Sequence, residues 1–455
     1  MKNHLRLFGS VLAVCVAMTA CQSDDQDLMP ESVELKSLNN GMIKSYDNSV
    51  VLKWNEALSL AVDNKMPPAP EARIYAMVSL AVHDALNNVV PRYETYALDN
   101  RWVNAKEISK KNIYPIADAA VAQAAHDVLI VLAPASAANA GALLTECLAP
   151  IEESEFKARG IQIGKEAAQS VLAERGDDPP LRFHAYPQGT EPGQYKSPMP
   201  YLVANPPVWP ANAAYAPDMG VFRPFGIVAS DQFRAKPPYS LDSPEYTADF
   251  NEVKSLGGST STERTQEQAD MGVFFLDNVS NSINRVVRFM AIQNALDGWE
   301  TARLLALTQM AQFDACLSSF EGKYHYNLWR PITAIRSGGN DGNDETEGDP
   351  LWSILPAARA TPPTPTYPST HSEMGGAGAE ILKLYFRRDN IPFTIGSYYL
   401  PGAERSFASF SQFATECATS RIYIGYHFRS DVVEGEKMGR LLARYVFENN
   451  LRILR

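Results

Sequence analysis

The sequence predicts an all-α protein built as a multi-helix bundle, and two observations carry that prediction. Ala-rich segments place apolar residues at three- and four-residue spacing along most of the chain, the period of one buried helix face. No alternating apolar and polar pattern of the kind that marks a half-buried strand rises above chance between them. A third observation interrupts the bundle: fourteen prolines crowd residues 178–245, a density that excludes long helices there.

At the N-terminus, Lys2 and Arg6 precede a short apolar run from Leu7 to Met18, and Thr19 and Ala20 lead into Cys21. This is the layout of a lipoprotein signal, with 1–20 removed and lipid carried on Cys21; an ordinary secretory signal cut nearby is the alternative. The expected place is then the cell envelope, attached through the N-terminal lipid alone. Polar residues 21–48 read as a flexible tether, and 49–455 as one helical domain. No later stretch reads as a transmembrane helix.

Within that domain the helical pattern begins at Val51 and is clear from Ala72 to Leu86. It recurs over 114–133, 137–149 and 153–175. The Pro-rich excursion carries Tyr195, Tyr201, Trp209, Tyr215, Phe222 and Phe225. So many aromatics predict an ordered segment that wraps the bundle or covers a site, since disordered linkers are aromatic-poor. Helices resume at about 245–256, 262–295, 297–320, 370–386 and 403–447.

Of the 455 residues 45% are hydrophobic and 20% charged, which supplies a core and excludes disordered and disulfide-scaffold classes. The net charge of −11 disfavours non-specific nucleic-acid binding, which rests on neutralising phosphates. Beyond the signal, Cys147, Cys316 and Cys417 show no metal-ligand spacing and read as free thiols in helices.

Three short motifs carry chemistry. Lys323 and Arg330 are seven residues apart, two turns, and would share a face if both were helical, with Pro331 ending that helix. They suit an oxyanion clamp, or a solvated face. In Pro362 to His371, four prolines stiffen a strap that ends in Ser369, Thr370 and His371 at a helix N-terminus. Such an end offers free N–H groups to an anion, or is simply capped by Ser or Thr with His beside it. In Ser420 to Asp431, His427 and Asp431 are one turn apart, so the carboxylate can fix the imidazole tautomer. Arg421 precedes them, and Gly425 permits a bend. His83 and His126 read as core or capping histidines, His184 is undetermined, and His325 has a possible supporting place beside the site.

In this order, Lys-x6-Arg-Pro, Pro-Ser-x-His and Ser-Arg-x3-Gly-x-His-x3-Asp, the motifs resemble those of the type 2 phosphatidic acid phosphatase and vanadium haloperoxidase superfamily. The resemblance implies the helical-bundle fold of that type. It implies that Lys323, Arg330 and Arg421 bind the oxygens of vanadate or phosphate, with Ser369 and the Thr370 amide completing the cradle. His427 would be the nucleophile to phosphorus or the ligand to vanadium, Asp431 would orient it, and His371 would act as acid–base partner. The Pro-rich run before Ser369, and Trp329 with Ile332-Thr333-Ala334-Ile335-Arg336, resemble the haloperoxidase branch, as does the stretch from Ala72 to Tyr93.

Two departures stand out. Thr370 replaces the usual Gly, and a β-branched residue dislikes positive φ. Thr364 stands where the family places an aromatic or His beside the halide, so it is the halide-pocket candidate. The expected function is oxidation of halide by hydrogen peroxide with vanadate as cofactor. The alternative is a metal-independent acid phosphatase acting on phosphate esters through phospho-His427, and a third reading is a binding protein without turnover. The oligomeric state is open.

Overall fold

A computed structural model describes residues 46–105, 112–197, 212–338, 340–355 and 360–454. The signal, Cys21 and the tether up to residue 45 lie outside the described residues, as do 198–211 in the Pro-rich excursion. The described chain falls within one compact unit, Asn39–Arg455.

Fourteen helices are described, with two short antiparallel ribbons. The N-terminal half holds α1 (Ser49–Val62), α2 (Pro68–Val89), the short α3 (Arg101–Ala105), α4 (Ile113–Leu132), α5 (Ala137–Leu148) and α6 (Glu155–Glu174). Then come β1 (Phe183–Ala185) and β2 (Ala213–Tyr215), paired within the excursion. The second half holds α7 (Pro244–Gly257), α8 (Gln266–Phe274), α9 (Val279–Gln293), α10 (Gly298–Tyr326) and α11 (Pro331–Ser337). It closes with α12 (Thr370–Phe386), the β3–β4 hairpin (Phe393–Gly396 with Glu404–Phe407), α13 (Phe410–Tyr423) and α14 (Arg429–Asn449).

Helix α10 is the axis. Asp297 caps it, taking the Glu300 N–H at 2.9 Å while the Glu300 carboxylate takes the Asp297 N–H at 3.1 Å. It packs on α2, α12 and α14 and is buried around most of its circumference. Helices α12 and α14 approach until their backbones touch: a Cβ on Gly439 would lie 1.9 Å from the Glu373 carbonyl, and one on Gly435 2.6 Å from that of Ser369. Only Gly fits there, and the contact sets the N-termini of the two helices side by side.

Four expectations need correction. Residues 262–295 form two helices rather than one, because tertiary partners draw the side chains of the break away from helical neighbours. Asp277 takes Arg285, and Asn278 reaches Met66 and Glu71. Residues 403–447 divide into β4, α13 and α14, with a tight turn at Gly425, whose φ is 79°. The two ribbons were not foreseen, being too short to show a period. Helix α4 is long and apolar enough to cross a membrane by length and composition, yet it is mostly buried inside the protein and packs on α2 and α6.

The excursion is ordered where it is described. Asp314 of α10 accepts the N–H groups of Phe225, Gly226 and Ile227 at 2.7, 2.6 and 3.0 Å. The Arg175 guanidinium lies 4.0 Å from the Phe225 ring centroid. Residues 193–195 pair with 327–329, just before Arg330, through Trp329 N–H to Gly193 O and Tyr195 N–H to Asn327 O.

Glu71 is fully buried among Asn64, Asn278 and Asn281, and burial pushes its carboxyl up to about 8. Its folded value lies above the unfolded one, so its stabilising contribution is complete below about 4.5 and is lost as pH rises towards 8. Glu71→Gln should therefore remove a slope approaching about 1.4 kcal/mol per pH unit across that window. Denaturant midpoints of both proteins at several pH values measure it; parallel pH curves contradict it.

Candidate active site

The site forms where the end of α10, the strap before α12, and the turn between α13 and α14 converge. Lys323 sits in the last turn of α10. Asn327 then turns left-handed, with φ 50°, and ends the helix. Arg330 is extended, the N-cap of α11, because the Pro331 that follows disfavours a helical Arg330. The two cations are therefore not on one helical face, as their spacing had suggested; the extended segment between them brings them together.

The Pro-rich strap runs beneath them. The Lys323 ammonium donates to the carbonyls of Pro365, Thr366 and Pro368 at 3.1, 2.7 and 2.5 Å, so all three of its N–H bonds are engaged. Arg330 donates through Nε to the Thr364 carbonyl at 2.7 Å and through Nη2 to the Thr364 hydroxyl at 2.8 Å. Its Nη1 donates to the Tyr426 carbonyl at 3.1 Å and lies 3.1 Å from His427 Nε2. Arg421, in the last turn of α13, donates to the carbonyls of Phe275 and Gly272. Those carbonyls are free because α8 ends there, and a helix C-terminus favours a cation. The helix break that the sequence did not reveal thus seats one of the site's three cations.

Asp431 stands in the first turn of α14, where its Oδ2 accepts the Phe428 N–H at 3.0 Å. The same oxygen lies 2.9 Å from His427 Nδ1 and accepts the Thr366 hydroxyl. The expected His427–Asp431 pair is present, and it is buried rather than on the surface. Burial pushes Asp431 up to about 7, opposed by the Thr366 hydroxyl and by Lys323. Burial, then the charges of Arg330, Lys323 and Arg421, hold His427 well below the usual imidazole range, so it is neutral.

Ser369 caps α12, accepting the Ser372 N–H and hydroxyl at 3.4 and 2.9 Å, while its own proton has no acceptor among the described residues. Its backbone N–H donates to the Asp431 carbonyl at 2.9 Å, which ties the α12 and α14 N-termini together. Thr370 opens α12 without a positive φ, so the feared strain is absent, and its hydroxyl lies 2.7 Å from that of Ser319. Thr370 and His371 are half-buried, while Ser369, His427 and Asp431 are buried, which puts the rim of the site at Thr370 and His371. His371 hydrogen-bonds the Phe275 carbonyl, and its buried Nε2 has no partner among the described residues.

Lys323, Arg330 and Arg421 are 2%, 1% and 3% exposed, and among the described residues none lies within ion-pair distance of a carboxylate. Neighbouring Glu373 offsets them little, because burial drives its carboxyl well above the usual range. Trp329, Tyr367, Tyr426 and Phe428 belong to an apolar cluster against the site, which keeps it dry and its charges strong. Unpaired cations in such surroundings are costly unless an anion joins them. The donor set therefore fits an oxyanion: three cations, a free Ser369 hydroxyl proton and a neutral imidazole.

Thr366, the Tyr426 carbonyl and the carbonyls ending α8 went unnoticed in the sequence; backbone acceptors leave no trace there, and Thr366 was one polar residue within a proline run. Other histidines lie elsewhere. His83 is a core residue bonded to the Glu94 carbonyl at 2.9 Å, and His126 pairs with Asp127 at 2.7 Å. His184 faces Asp218 at 3.3 Å, and His325 is exposed with its ring edge-on to Tyr326. Cys316 and Cys417 are buried free thiols, and Cys147 is half-buried.

This fold and this cradle describe a helical protein with one buried site suited to an oxyanion. A family model described as the VCPO second helical-bundle domain matches residues 303–455, which span all three motifs. A vanadium chloroperoxidase of Curvularia inaequalis is 25% identical over 85% of this chain and 80% of its own length. The crystal structure of the first bacterial vanadium-dependent iodoperoxidase superposes with a TM-score of 0.71 at 22% identity, over 90% of this chain and 98% of that one. A holo-type bacterial vanadium-dependent chloroperoxidase gives 0.66 at 18% identity, over 89% and 97%. The chain is thus similar to vanadium haloperoxidases over most of its length, shares their helical fold, and matches their second helical-bundle domain over its last third.

Proposed function

We propose that the protein oxidises halide with hydrogen peroxide at a vanadate held by His427, in the cell envelope and anchored by lipid on Cys21. The overall reaction consumes halide, peroxide and a proton and yields hypohalous acid and water. The observation that carries the proposal is a trio of buried cations with no carboxylate partner among the described residues, one of them, Arg330, 3.1 Å from the Nε2 of a neutral histidine. Vanadate bound there would supply Lewis acidity towards peroxide without changing its oxidation state. Arg330, Lys323 and Arg421 hold the oxyanion charge, and Ser369 donates its hydroxyl proton. Asp431 keeps a proton on His427 Nδ1, so Nε2 presents its lone pair. His371, half-buried and with its Nε2 unpartnered among the described residues, is the rim group that exchanges a proton with incoming peroxide.

The test is a paired assay on one purified sample. Bromide and iodide oxidation is measured with vanadate and peroxide, and phosphate-ester hydrolysis without vanadate. Halide oxidation supports the proposal; ester hydrolysis without it moves the function to the phosphohistidine alternative. Labelling of the expressed protein with a fatty acid, lost in Cys21→Ser, tests the anchor.

Halide preference follows from Thr364, which offers no ring to desolvate a halide. Iodide, the easiest to oxidise, should lead bromide, with chloride at or below detection in halide-resolved kinetics. Thr364→Phe should alter the halide ranking, but not that alone, because the Thr364 hydroxyl holds Arg330 at 2.8 Å. Phe would remove that acceptor, so affinity should fall as well, by roughly 1–2 kcal/mol. Robust chloride oxidation by the unmodified protein contradicts the ranking.

A further inference from the structure

We infer that Thr366 is a positioning residue that fixes the tautomer of His427 and joins it to Lys323. The inference rests on His427 being the group that bonds the oxyanion. Thr366 is fully buried and touches both halves of the site. Its carbonyl accepts the Lys323 ammonium at 2.7 Å. Its hydroxyl contacts Asp431 Oδ2 and lies 3.2 Å from His427 Nδ1.

Donor accounting assigns the protons. Asp431 Oδ2 accepts the Phe428 N–H and also takes the single hydroxyl proton of Thr366. What Thr366 then turns towards His427 is a lone pair. Both neighbours of Nδ1, Asp431 Oδ2 at 2.9 Å and Thr366 Oγ1 at 3.2 Å, are therefore acceptors, and Nδ1 must carry the ring proton. That leaves Nε2 bare, facing Arg330 at 3.1 Å, the condition for bonding to vanadium or phosphorus. The same hydroxyl gives Asp431 Oδ2 a second fixed donor beside the Phe428 N–H, so the carboxylate cannot rotate away from the ring. Thr366 does for Asp431 what Asp431 does for His427.

Thr366→Val keeps the shape and the backbone carbonyl to Lys323 but removes the hydroxyl; Thr366→Ser restores it. Two measurements on the full-length protein decide the matter. The first is the His427 ring nitrogen shifts in long-range proton–nitrogen spectra without any oxyanion, assigned by comparison with His427→Gln. Wild type and Thr366→Ser should show protonated Nδ1 alone, and Thr366→Val a mixture of tautomers. The second is orthovanadate affinity by calorimetry, which should fall by about fivefold or more in Thr366→Val and return to within about twofold in Thr366→Ser, the scale of one buried hydrogen bond. A Thr366→Val protein with a single Nδ1–H tautomer and unchanged affinity overturns the inference. Should Thr366→Val not fold, Thr366→Ala poses the same question with less bulk. His427→Gln separates the two levels: if it binds orthovanadate as wild type does, the reading of His427 fails, whatever Thr366 does.

Discussion

His427→Ala is expected to bring halide oxidation down by roughly 10³-fold or more, and phosphate-ester hydrolysis with it if any is present. The size of the effect follows from the site's geometry. Nε2 of His427 is a neutral nitrogen lone pair set 3.1 Å from the Arg330 guanidinium, with Nδ1 backed by Asp431 at 2.9 Å. His371 does not replace it, because it sits at the rim, hydrogen-bonded to the Phe275 carbonyl and, among the described residues, without a carboxylate behind it. Alanine also strips Asp431 Oδ2 of one donor in a dry interior, so thermal melting should accompany the assay to show that the variant is folded. Near-native turnover in a folded His427→Ala protein would remove it from the chemistry.

Arg330→Ala should weaken orthovanadate or phosphate binding by roughly 1.5–3 kcal/mol, the scale of a charge-assisted hydrogen bond. It should also cost stability, because Arg330 fills the space between strap and turn. Its loss leaves the Thr364 carbonyl and hydroxyl and the Tyr426 carbonyl without this donor. Arg330→Lys should recover little, since a point charge cannot serve these acceptors and face His427 together. Lys323→Ala should show the opposite balance, with more stability and less affinity lost, because in the structure its three N–H bonds hold the strap. Calorimetry and denaturant midpoints on the three variants separate the effects. Affinity unchanged in Arg330→Ala would show that the cation is structural only.

Lys323 and Thr364 show where sequence reasoning ran short. The spacing of Lys323 and Arg330 suggested one helical face, but a left-handed Asn327 ends the helix and the pair meets through an extended segment. Thr364 was singled out for lacking a ring, while its hydroxyl supports Arg330. Thr366, with its contact to Asp431, attracted no notice, because a threonine in a proline run signals nothing until the chain folds it against another element.

What the sequence by itself determined is the helical class, most helix positions, and the residue types of the site in their order. Helix period, proline density and the His427–Asp431 spacing are local properties, carried by neighbours within a few turns. Only the tertiary structure decided how three distant segments share one buried space. The break at 275–278 comes from Asp277 bonding to Asn64 and Tyr398 and Asn278 to Met66, all far along the chain, and it frees the carbonyls that seat Arg421. That these cations meet carbonyls and, among the described residues, no carboxylate is equally non-local, because it depends on which side chains folding brings within reach. Burial then turns three ordinary charges and one histidine into an oxyanion site, because charges in a dry interior need a partner that the same charges in water do not.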